Sequence, residues 1–212
     1  MSFDLAFSIK VFTALFAIMN PVANVPVFLS LTSGASDAER RKVAVTALIA
    51  VSIGCVVAAV AGSSILGMFG VSIDDFRLAG GLLVLLIALS MLHGSANTQH
   101  AATTQERKDL ADADNVAIYP LAIPLLLGPG SIATMIVLGH SAFSSGQELA
   151  FAAGLAAFLL LLAASMLSAP FIGHYLSPRV TAITQRLMGM ILAAIAVDMM
   201  MTSLRASFPG LT

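Results

Sequence analysis

Between Lys10 and Asp37 the chain carries no Asp, Glu, Lys or Arg, and the runs 43–73, 78–105, 115–147 and 149–178 are equally free of charge. Each exceeds the roughly 20 apolar residues a helix needs to cross a bilayer. A sixth stretch, 181–204, is mostly Leu, Met, Ile and Ala and is interrupted by Arg186 and Asp198. Hydrocarbon offers backbone N–H and C=O groups no partner, so spans like these must be helices. The sequence therefore predicts an all-α integral membrane protein with six transmembrane helices. The first span follows no basic n-region and no small-residue cleavage site, so it is expected to be retained.

Composition excludes several other classes. Only 10% of residues are charged and the net charge is −1, which leaves no electrostatic footprint for nucleic acid. Cys55 is the single cysteine; it can form no internal disulfide, and it reads as a small packing residue. No ligand spacing calls for a metal or a cofactor. His93, His140 and His174 fall near span ends and read as interfacial, while Met199, Met200 and Met201 read as packing.

Two of the runs contain residues poorly suited to a helix interior. One reads MNPVANVP at 19–26 and the other LGPGSIAT at 127–134. Proline removes a donor and disrupts the turn before it, so Asn20-Pro21 and Gly128-Pro129-Gly130 should each break a helix. Non-helical backbone at membrane depth survives only inside protein or beside a polar cavity, and two such breaks in corresponding places point to a binding site.

The halves correspond. A shift of 108 places Asn20-Pro21 over Gly128-Pro129, and a shift of 109 places Phe76-Arg77-Leu78 with Gly80 over Gln185-Arg186-Leu187 with Gly189. Three spans per half is an odd number, so the second half enters the membrane from the opposite side as an inverted repeat. The expected organisation is a first three-helix repeat over 1–95, a polar cytoplasmic linker over 96–115 and a second repeat over 116–212. Lys10, Arg77 and Arg205 then share one side, and the other seven basic residues share the opposite one. The positive-inside rule puts both termini outside the cytoplasm.

The breaks should expose carbonyls near Met19 or Leu127 and N–H groups near Ala23 or Ser131, ends that suit an ammonium and a carboxylate respectively. Asn20, Pro21, Ala23, Asn24, Pro26, Gly128, Pro129, Gly130, Ser131 and Thr134 are the candidate binding residues. No charged side chain lies among them, so a small solute of zero net charge, such as a zwitterion, is favoured. Asp198 is about 18 Å along a helix from Arg186, which places it within the bilayer; it is a candidate for coupling to H+ or Na+, with a structural role, bonded to a neighbouring span or reaching water near the outer end, as the alternative. Arg77 and Arg186 are candidate gating or interfacial residues, with Asp74 or Asp75 as a partner for Arg77. Ser131 and His140 are about 13 Å apart on one helix, too far for a nucleophile and its base, so an enzyme is not expected.

The NPxxxxP segment from Asn20 to Pro26, the PLxxPxLxGPGSI segment from Pro120 to Ile132 and the FRLAGGLLV segment from Phe76 to Val84 resemble the MarC family. The resemblance runs over essentially the whole chain. It implies six transmembrane helices in a bacterial inner membrane, and transport of small neutral amino acids such as glycine or alanine. Gly128 stands where a strict repeat would have a second Asn, so the two half-sites should differ. Efflux of drugs or other amphiphiles, which calls for a wide aromatic-lined cavity, and a non-transporting membrane scaffold, with no solute path, are the alternatives.

Overall fold

The computed structural model describes residues 4–93, 116–173 and 175–208, and every regular element among them is helical. In chain order these are α1 (Leu5–Met19), α2 (Pro21–Leu31), α3 (Asp37–Met68), α4 (Ile73–Leu92), α5 (Ala117–Leu126), α6 (Pro129–Ser145), α7 (Glu148–Leu167), α8 (Ala169–Ile172) and α9 (Pro178–Ser207). The expected linker, 96–115, and His174 lie outside the described residues. By length and composition α3, α4, α7 and α9 can each cross a bilayer, and α1 with α2 makes a fifth span if the bent pair counts as one.

Polar side chains set the outer helix ends. Asp4 accepts from the Phe7 N–H at 3.0 Å to start α1, and Ser36 and Glu39 form a reciprocal capping box on α3. Ser72 caps α4 through the Asp75 N–H at 3.1 Å. Ser177 caps α9, with Pro178 at the first helical position. Side-chain oxygens here satisfy N–H groups that the first turn leaves unpaired. Because caps and not charges define the ends, α9 begins at Pro178 and Arg186 lies eight residues inside it.

The fourth charge-free run is interrupted more than once. Tyr119 and Ile123 both adopt φ −127°, ψ 125° inside α5, and each is followed by a proline. The proline ring disfavours helical geometry for the preceding residue and pushes it towards extended backbone. The segment closes in wide turns, with the Leu127 N–H bonded five residues back to Ala122 O at 2.8 Å.

Helices pack as α1 on α7, α3 on α6 and α4 on α9, with α4 also meeting α6 and α3 meeting α5. Small residues let the backbones approach. A methyl group on Gly139 of α6 would lie 2.6 Å from the Ala59 carbonyl oxygen of α3, and one on Gly189 of α9 would lie 3.0 Å from the Ala88 oxygen of α4. Without a hydrophobic driving force between helices in lipid, such close approach supplies much of the association. Phe28, Phe158, Leu15 and Met19 fill the centre of the core. Ile49, Ile53, Val56, Val57 and Val60 of α3 and Leu82, Leu83 and Leu86 of α4 point outward. An apolar exterior of that extent suits acyl chains as its solvent.

Candidate solute-binding site

The first break turns on Asn20, the one non-glycine residue with positive φ among those described, at φ 35°, ψ 73°. Asparagine tolerates the left-handed region because its short side chain bonds locally. Here its backbone N–H ends α1 by donating to Phe16 O at 3.0 Å. Its side-chain oxygen opens α2 by accepting from the Ala23 N–H at 3.2 Å. Pro21 follows at the first helical position, where a missing N–H costs nothing. The two helices meet at 41°. Pro26 lies inside α2, where its ring removes one further hydrogen bond.

The second break is built differently. Gly128 precedes α6 with extended backbone (φ −79°, ψ 174°) and no side-chain cap. Pro129 has no N–H, and the helix ladder begins only where the Ile132 N–H reaches Gly128 O at 3.0 Å. The N–H groups of Gly130 and Ser131 are therefore without partners among the described residues. Both residues are buried, and uncapped N–H groups at a helix start attract negative charge. The asymmetry expected from Gly128 in place of a second Asn is present in the capping.

One device recurs at both breaks. Asn24 Nδ2 donates to Met19 O at 2.6 Å, and Ser131 Oγ donates to Leu126 O at 3.0 Å. In each case a side chain just past the break returns five residues to a carbonyl at the end of the preceding segment. A bare carbonyl there would find nothing in hydrocarbon. The sequence reading had left the Met19 carbonyl free for a solute ammonium; it is instead occupied. The Ser131 hydroxyl is likewise committed to a carbonyl.

Four buried side-chain polar atoms among the described residues have no partner, and two of them belong to the candidate binding residues. Asn20 Nδ2 and Thr134 Oγ1 are buried without partners, on residues only 4% and 3% exposed. Buried orphans of this kind are rare and call for an explanation. The breaks also adjoin: a methyl on Gly130 would meet Ile18 Cδ1, two residues before Asn20, at 2.9 Å and Ile87 Cδ1 at 2.8 Å. The start of α6 thus packs against the end of α1 through flexible side-chain tips.

The charged candidates lie elsewhere. Arg77 pairs with Asp74 at 2.8 Å within the first turns of α4, and the Ser203 hydroxyl of α9 donates to the Asp74 carbonyl. Asp198 pairs with Lys10 of α1 at 3.3 Å. Arg186 is exposed and makes no ion pair among the described residues. Lys10, Arg77 and Asp198 line a cavity of about 420 Å³ between α1, α4, α6 and α9. Of the ten candidate binding residues only Thr134 is among its walls. Thr13, Ser141 and Thr202 also line it and were missed from sequence, as was Lys10. The available signal was Lys10, the single charge within α1, and Asp198, the single acidic residue within α9.

The MarC family integral membrane protein model matches residues 5–208. The UPF0056 membrane protein YhcE of Escherichia coli (strain K12) is 36% identical over 209 residues, covering 99% of this chain and 97% of that protein. YvbG of Bacillus subtilis (strain 168), also a UPF0056 membrane protein, is 35% identical over 209 residues, with 98% of each chain covered. The archaeal UPF0056 membrane protein MJ1677 of Methanocaldococcus jannaschii is 36% identical over 205 residues, covering 96% of this chain and 98% of its own. No solved structure matches the chain. With its described residues matched from α1 through the end of α9, this multi-pass chain belongs to the MarC family of integral membrane proteins.

Proposed function

We propose that this protein is a membrane carrier for small neutral amino acids, which it holds where the two broken helices adjoin. The observation that carries the reading is the pairing of uncapped Gly130 and Ser131 N–H groups with a neighbouring break that leaves the Asn20 amide unpaired and buried. A carboxylate takes the N–H groups, and its second oxygen takes the Asn20 Nδ2 donor. Charge-assisted bonds to backbone N–H groups are among the stronger ones available. The solute must supply its own counter-charge, because no ionised side chain is among the candidate binding residues, and a zwitterion does.

In this reading the chain crosses the membrane six times, as α1–α2, α3, α4, α5–α6, α7 and α9, in two inverted halves. Exchange of packing partners between halves supports the repeat, since the first element of each half lies on the second element of the other, as α1 on α7 and α6 on α3. The third elements, α4 and α9, lie on each other. Lys10, Arg77 and Arg205 fall on one face, and Arg40, Arg41, Lys42 and Arg179 on the opposite, cytoplasmic one. Both termini are then periplasmic in a bacterial inner membrane.

Purified protein in liposomes is expected to exchange radiolabelled alanine, glycine or serine saturably, with larger or charged amino acids competing poorly. Failure to bind or move any of the three, under imposed proton or sodium gradients, overturns the proposal.

A further inference from the structure

The cavity between α1, α4, α6 and α9 has both polar and apolar walls. Lys10, Arg77 and Asp198 line it, as does Thr134 with its unpartnered hydroxyl. Ala14, Val137, Leu138, Ile195 and Met199 supply apolar lining. Along α6 the walls run from Ser141 to Thr134, seven residues or about 10 Å of helix. A volume of about 420 Å³ is that of a small-molecule site and holds an amino acid together with water. Thr134 is three residues beyond Ser131, so it lies one helical turn from the uncapped N–H groups of the break.

We propose that this cavity is a capture site for zwitterionic amino acids, entered through the Lys10–Asp198 pair and continuous at Thr134 with the site at the breaks. The claim rests on the carrier reading for the direction of travel but not for occupancy. Lys10 and Asp198 are held at 3.3 Å with side chains 58% and 61% exposed. A pair so solvated is worth little and yields to a competitor. An amino acid replaces it without leaving either charge bare: the solute carboxylate takes the Lys10 ammonium, and the solute ammonium takes the Asp198 carboxylate. Arg77 remains with Asp74 at 2.8 Å and keeps the mouth attractive to a carboxylate. Once past the apolar wall, the solute carboxylate accepts from the Thr134 hydroxyl, which otherwise has no partner, and from there reaches the Gly130 and Ser131 N–H groups.

The test uses thiol reporters in the full chain with Cys55→Ala, in sealed vesicles of known orientation. Thr134→Cys and, independently, Ser141→Cys are treated with a cationic, membrane-impermeant methanethiosulfonate. Both thiols are expected to react from the face that carries the amino terminus, and saturating alanine should slow the reaction at least fivefold. Propionate and ethylamine, each carrying one of the two charges, should leave the rate within twofold. Lys10→Ala or Asp198→Ala should speed modification of Thr134→Cys several-fold, and the double reversal Lys10→Asp with Asp198→Lys should return it to the parent rate. Reaction only with a lipophilic maleimide would put lipid in the cavity and overturn the proposal. So would rates indifferent to alanine, or to the Lys10 and Asp198 changes, at both reporters. Protection without transport in liposomes would sink the carrier reading and leave the site standing; transport without protection would do the reverse.

Discussion

Asn20→Ala is expected to lose transport and to lower stability by about 2–3 kcal/mol, whereas Asn20→Gly should recover most of the stability and little of the transport. The residue does three things. It holds the left-handed backbone between α1 and α2, it caps α2 through the Ala23 N–H, and it carries a buried, unpaired amide N–H group. Alanine gives up the cap, worth roughly 1 kcal/mol, and pays about 1–2 kcal/mol for the left-handed backbone. Glycine adopts that backbone freely and retains most of the capping preference at a cost of a few tenths of a kcal/mol. Only the amide is missing in both. A carboxylate that loses one of its donors in a dry site should bind at least tenfold more weakly in Asn20→Gly, read as an increase in the half-saturating alanine concentration. Unfolding in detergent, followed by circular dichroism, reports the stability difference separately.

The second large effect is structural. Gly139→Val should destabilise the protein by about 3 kcal/mol or more and reduce the yield of folded material, while Gly130→Ala should fold nearly as well as the parent. Overpacking costs about 1–3 kcal/mol when side chains can give way and more when they cannot. At Gly139 the obstacle is the Ala59 backbone, with its carbonyl oxygen 2.6 Å from the added methyl and its Cα at 2.8 Å. Neither can move without separating α3 from α6. At Gly130 the obstacles are the Cδ1 tips of Ile18 and Ile87, which a change of rotamer clears. Thermal unfolding of the two variants side by side separates these cases, and equal loss in both would contradict the packing described.

Much of the first break could be read from Asn20 and Pro21 alone, because each has a strong backbone preference that a continuous helix violates. Gly128 and Pro129 announced the second break in the same way. The distortions at Tyr119 and Ile123 were also written in the chain, by the prolines that follow them, but a hydropathy run does not register backbone geometry. The return bonds from Asn24 to Met19 and from Ser131 to Leu126 were harder to foresee. They depend on how far the chain turns at each break, which follows from packing against α3, α7 and α9. Asp198 was least legible. Counting along the helix from Arg186 could not name its partner, Lys10, 188 residues away, and the two meet only because α1 lies beside α9.

The central claim is that peptide N–H groups at the adjoining breaks grip the solute, and amide chemical shifts read this most directly. In protein labelled with ¹⁵N at glycine and serine, titration with alanine should shift the Gly130 and Ser131 amides saturably, at the concentration that half-saturates exchange. The same titration of Asn20→Gly should require at least tenfold more alanine. Saturable shifts confined to residues away from both breaks, with Gly130 and Ser131 unmoved, would contradict the account.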